Sequence, residues 1–193
     1  MNCTRYHLFS AGNPTSYEGL DRSPPQWRSQ EPAASEWNRL CNVIAEQGEG
    51  FDDVDAAMEV SRRLTNLGEE VEVIADVPEG CEPPQGSVLL GFDVTYFSYH
   101  TVFGHDGWLS ERDAGSPREM IVFLLGDYFR ERLTPSRLFA NQIDAERCRR
   151  CLLALKQVWP DLFEDDRGFV PAVHPLYRVE KDKDTRHEER AAR

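Results

Sequence analysis

Between Asp93 and Trp108 the chain gathers Asp93, Tyr96, Ser98, Tyr99, His100, His105, Asp106 and Trp108 within sixteen positions. By residue type this is the densest concentration of groups able to move a proton or hold a metal. Asp93, His100 and His105 are the catalytic candidates. An aspartate with two histidines is a metal-ligand set, and an aspartate, histidine and serine form a relay that activates a hydroxyl. The spacing matches neither template, so a small hydrolase or metal-dependent enzyme would need the fold to bring these groups together. Asp93 itself interrupts an apolar run, where an unpaired carboxylate is costly. On strict alternation it faces opposite to Phe92, Val94 and Tyr96, which predicts a wet-side position or a backbone amide as its partner. His7 and His174 fall in expected strands and read as packed or surface residues rather than ligands.

Cys148-Arg-Arg-Cys151 has the local spacing of a thiolate pair, but a zinc site needs a second pair, and none stands at suitable distance. Cys148, Cys151, Leu152, Leu155, Val158 and Trp159 share one helical side, so these cysteines are expected to pack as small hydrophobes. No metal and no cofactor is expected. Gly48-Glu49-Gly50 lacks the third glycine and the preceding strand of a phosphate loop.

A second concentration is one of charge. From Ile44 to Glu82 there are twelve acids and two bases, a balance of -10 within a chain whose formal charge is -12. Such a segment speeds encounter with a basic protein and disfavours nucleic acid and anionic membranes. It equally serves as a solubilising surface. The carboxylates expected to meet a partner are Asp52, Asp53, Asp55, Glu59, Glu69, Glu70 and Glu72.

The elements that must position these groups follow from periodicity. Residues 5–11 read as a strand, and 12–34, with four prolines, as a long irregular loop. Trp37, Leu40, Cys41 and Ile44 share a helical face behind a cap at Ser35. A stronger helix begins at Asp52 or Asp53 and stops at Gly68. Residues 69–77 alternate, with Val71, Val73, Ala75 and Val77 on a dry face. Residues 87–97 are the most apolar strand and predict a central position. Ser116-Pro117-Arg118-Glu119 opens a helix whose 120–129 stretch is apolar nearly all round. A short strand at 138–141, a helix capped by Asp144 and a closing strand at 170–180 complete the order. Pro171 and Pro175 predict that the last strand lies at a sheet edge. The expected fold is α+β: a mostly antiparallel sheet of about five strands, with helices packed mainly on one face.

With 193 residues, residues 1–179 suit a single domain and 180–193 a charged flexible tail, whose five acids and five bases cancel. No run approaches the ~18 apolar residues of a membrane helix. The amino terminus lacks the pattern of a secretory signal. Five cysteines, an odd number, argue against a disulfide framework and fit a reducing cytoplasm.

At Leu89-Leu90-Gly91-Phe92-Asp93-Val94, followed by 96–103, the chain resembles small bacterial immunity-type proteins of toxin–immunity systems. In these a Leu-Gly-aromatic-Asp-hydrophobic strand precedes a Ser/Tyr/His-rich stretch, then a helix, a short strand, a helix and a closing strand. Here 120–133, 138–141, 144–159 and 173–179 follow that order, so the resemblance spans about residues 69–179. It implies a non-enzymatic protein that neutralises a partner toxin by binding it, and no functional residue is carried over. The sequence expectation is therefore an acidic, cytoplasmic protein-binding domain. The hydrolase centred on Asp93 and a domain with neither role are the alternatives.

Overall fold

The computed structural model describes residues 4–10, 33–47, 50–97, 100–101, 125, 127–135, 138–160 and 170–180. Its strands are β1 (Arg5–Ser10), β2 (Val71–Asp76), β3 (Val88–Phe97), the two-residue β4 (His100–Thr101) and β5 (Ala172–Arg178). Its α-helices are α1 (Ala33–Gln47), α2 (Val54–Asn66) and α3 (Gln142–Val158). The strands form one antiparallel sheet in the order β1-β2-β5-β3-β4. The class is α+β. Four strands are of full length, one fewer than the expected five, and β4 adds only a two-residue rung at the β3 edge.

Cap chemistry sets the bounds of α2. Asp53 accepts from the backbone N–H groups of Asp55 and Ala56, at 3.3 Å each, and so satisfies two donors that have no partner within the helix. At the other end Gly68 has φ +91°. There the N–H of Glu69 donates to the carbonyl of Leu64 and that of Gly68 to Thr65, the paired bonds of a Schellman ending. In α3 the cap is Asn141 rather than the expected Asp144. Its side chain accepts from the Asp144 N–H at 3.0 Å and its amide donates back to the Asp144 carboxylate. The helix thus starts two residues before Asp144, which occupies the third helical position. Likewise α1 is already helical at Ser35, the expected cap.

Registers fix which residues share a face. Ala75 stands opposite Tyr177, and Val94 opposite Val173. Since Val173 and Tyr177 are four apart on β5, all four lie on one side. Ala75 and Tyr177 pack with Trp37, Leu40 and Ile44 of α1 and with Ala57, Val60 and Leu64 of α2. Val94 and Val173 pack with Ala145, Cys148 and Leu152 of α3 and with Phe129 and Phe139. So α1, α2 and α3 cover the same face. The other face carries a smaller apolar cluster of Ile74, Leu138 and Leu176, with Phe9 and Leu90 beside it. Ile74 is therefore dry, although alternation placed it on the wet side of its strand.

The expectation that β5 is an edge strand is overturned: it runs between β2 and β3. Proline is tolerated there because of register. Phe92, opposite Pro175, exchanges both of its backbone bonds with Phe139 on its other side. The nitrogen of Pro175 therefore faces β2, and β2 ends at the preceding rung, Asp76 opposite Leu176. At the next rung the Val77 N–H still donates to the Pro175 carbonyl at 3.3 Å, so proline costs the sheet only the return bond of its last rung.

Phe139 also explains Gly91. A Cβ on Gly91 would stand 2.7 Å from the Phe139 carbonyl oxygen and 2.8 Å from the Leu138 Cβ, and its φ is +153°. Both the close approach and the backbone conformation require glycine. The expected short strand at 138–141 appears as isolated bridges from Phe139 to Phe92 and Leu133. Most of the helix expected over 120–129 lies outside the described residues. At its described end Phe129 is buried, but Tyr128 is 68% exposed, so this end is not apolar all round.

Candidate functional site

Asp93 sits on the face of the sheet opposite the helices. Its partner across the β3–β5 ladder is His174. His174 Nδ1 lies 2.9 Å from Oδ1 of Asp76 on β2. Three strands thus bring an aspartate, a histidine and a second aspartate into one row. Asp76 and His174 are each about a quarter exposed. Asp93 is 3% exposed, so the wet-side expectation for it fails. The alternative expectation, a backbone amide, holds for Val94, whose N–H donates to the Asp93 carboxyl.

The electrostatics follow from this geometry. Burial pushes the Asp93 carboxyl up to about 7, against the attraction of His174 and the Val94 hydrogen bond. The hydrogen bond to Asp76 raises His174 above its ordinary range, and the charges of Asp76 and Asp93 reinforce it against desolvation. The bond to Asp76 also fixes the imidazole orientation, because it engages Nδ1. Such a row can hold protons and can exchange one near neutral pH.

Asp93 is thereby placed with a histidine, but not one of those expected. His100 is in β4, where its backbone pairs with Phe97, and His105 lies outside the described residues. The partners that sequence reasoning missed are His174 and Asp76. Each sits at an alternating strand position, and the only signal was polarity on a face taken to be wet. Asp76 and His174 are 98 residues apart in the chain, so no local spacing announces them.

The seven acidic candidates divide among three places. Asp52, Asp53, Asp55 and Glu59 belong to the amino-terminal half of α2 and its approach, and all four are exposed. Within this group Asp53 is the helix cap, Asp52 pairs with Arg5 and Glu59 with Arg62. The hydrogen bond from Arg62 holds the Glu59 carboxyl below its usual range. Glu69 and Glu70 follow the far end of α2, roughly 20 Å away at 1.5 Å per residue. Glu72 lies on β2, paired with Arg178 of β5 at 3.4 Å, on the face away from the helices.

Cys148 is fully buried against Val94 and Leu152, and desolvation drives its thiol upward, away from the reactive range. Cys151 packs at the margin of the same cluster. Cys81, in the turn after β2, is disulfide-bonded, whereas Cys41, Cys148 and Cys151 stay in the thiol form. The partner of Cys81 lies outside the described residues. An odd count excludes full pairing only, so the parity argument for a reducing compartment falls. Among the described residues no three His, Cys, Asp or Glu side chains are grouped closely enough to hold a metal ion. No described helix is long and apolar enough to cross a membrane.

No protein-family model, curated protein or solved structure matches the chain. The likeness to immunity-type proteins therefore rests on the residues quoted for it.

Proposed function

We propose that the protein is an acidic binding domain that engages a basic partner protein through the amino-terminal half of α2. The observation that carries this reading is the exposure of Asp55 and Glu59 on the solvent side of α2, and of Asp52 just before its cap, while the other side of the helix is anchored. Ala57, Val60, Ser61 and Leu64 are buried beneath them, and the Ser61 hydroxyl donates to the Val71 carbonyl at 3.1 Å. Glu36 of α1 binds Arg63 of α2 and is held below its usual range, first by its hydrogen bond from Arg39. Charges on a fixed support steer encounter without first having to be ordered. Among basic partners, the resemblance to immunity-type proteins points to a toxin.

The test immobilises the chain, collects basic proteins from its own source cells, and measures association kinetics for each retained protein. D52N/D55N/E59Q is the comparison variant, with the Asp53 cap left in place. The on-rate is expected to fall tenfold or more from low to physiological salt, and to fall similarly in the variant, with the off-rate little changed. A partner whose on-rate ignores both salt and these substitutions would remove the reading.

A further inference from the structure

The face of the sheet away from the helices sorts its described charges into pairs and leaves one carboxyl over. Arg5 of β1 is held by Asp52, and Arg178 of β5 by Glu72. His174 of β5 is held by Asp76 at 2.9 Å. Asp93 of β3 faces His174 across the ladder and has no other base near it among the described residues. One imidazolium thus lies between two carboxylates. Asp76 is part-exposed and hydrogen-bonded to the ring. Asp93 is buried and sees the charge of Asp76 as repulsion. Two carboxylates sharing one counter-ion do not both ionise readily, and the desolvated one keeps its proton.

We propose that the buried Asp93, which faces a histidine already bound to Asp76, holds a proton, and that its loss is a built-in switch which loosens the β3–β5 seam at Asp93 and His174. The groups bearing on it from the packed elements are few. They are Asp76 and Glu72 of β2, His174 and Arg178 of β5, Arg5 and His7 of β1, and the buried Cys148 thiol of α3. Arg5 and Arg178 are already paired, and His7 stands opposite Ile74, on the far side of β2 from His174. When Asp93 ionises, a second negative charge enters a row that has one positive group. Asp93 faces His174 at the rung beside Val94–Val173 and Thr95–Ala172, so those rungs take the strain.

The direction of the pH effect is fixed. An unfolded aspartate releases its proton near 4, whereas burial holds Asp93 at about 7 in the fold. Between those values the folded chain binds one more proton than the unfolded chain, so stability falls as pH rises through the window and levels off above it. His174, raised by its hydrogen bond to Asp76, acts in the same sense. Its contribution is complete below the ordinary histidine range and is lost as pH passes its folded value. Both groups tighten the seam at mildly acidic pH.

The test follows the Asp93 carboxyl carbon of the native full chain by NMR titration. It also measures amide exchange at residues 93–95 and 172–174 at pH 5.5 and 8.5, corrected for the intrinsic rate. A midpoint near 7 is expected, with protection at least tenfold lower at the higher pH. H174Q should move the midpoint further up by removing the cation, and D93N should shrink the difference in protection to the part that His174 contributes. A wild-type midpoint near 4, protection that does not change with pH, or a D93N protein that keeps the full drop overturns the proposal. If D93N does not fold, the two wild-type measurements decide alone.

Discussion

The two faces of the sheet solve the burial problem with different chemistry. Under α1, α2 and α3 the contacts are aliphatic and aromatic, and the buried hydroxyl of Ser61 is satisfied by a carbonyl. On the opposite face the apolar cluster is small, and beside it run Glu72–Arg178 and the Asp76–His174–Asp93 row. Apolar burial stabilises without regard to protons or salt. Ionic contacts respond to both. One face thus sets how much stability the fold has, and the other how that stability answers to its surroundings.

That contrast can be broken or sharpened by substitution. The largest effect is expected at Leu152, fully buried on the helix face. Leu152→Ala should cost about 2–5 kcal/mol in urea unfolding, equally at pH 5.5 and 8.5. A cost that changes with pH would blur the division. Next is Gly91→Ala, which sets a methyl group against the Phe139 carbonyl and the Leu138 side chain at a positive φ. A loss of about 1–3 kcal/mol is expected, together with weaker amide protection at Phe92 and Phe139, whose bridge crosses there. Asp53→Ala removes the α2 cap and should cost about 1 kcal/mol, with Asp53→Asn close to neutral. Glu72→Gln, on the face away from the helices, should cost at most about 1 kcal/mol, and 1 M salt should erase the difference because the pair is over a third exposed. Last, a covalent count separates the cysteines. The denatured, unreduced chain should expose three thiols to a colorimetric reagent, rising to five after reduction. Five thiols before reduction would dispose of the Cys81 disulfide.

Much of the helix face was legible from the sequence because its signals are local. The spacing of Trp37, Leu40 and Ile44 gave α1, and Asp53 and Gly68 marked the ends of α2 through chemistry acting over three to five residues. The alternation of 69–77 gave β2 and its dry side. The face away from the helices was not legible. Asp93 reads as wet from the sequence because alternation tells which face a residue joins, not whether that face is covered. His174 gives no local signal because its partner comes from a strand 98 residues earlier, and register between distant strands leaves no mark on either. Pro175 suggested an edge because proline removes a donor. Only the register shows that this donor would serve the last rung, where Val77 already binds the Pro175 carbonyl.

The central place of β5 has a consequence for how the chain must assemble. Until residues 172–178 have been synthesised, β2 lacks its second neighbour and β3 has only the two-residue β4. The β1–β2 pair and β3 are then separate pieces, each with an open edge available to other nascent chains. The strand that joins them is the last of the described elements in the chain, so most sheet contacts close over long sequence separations, a topology that folds slowly. Premature termination before β5 therefore removes more than a margin. It leaves two fragments with unsatisfied edges, which are substrates for chaperones and proteases rather than a smaller version of the fold.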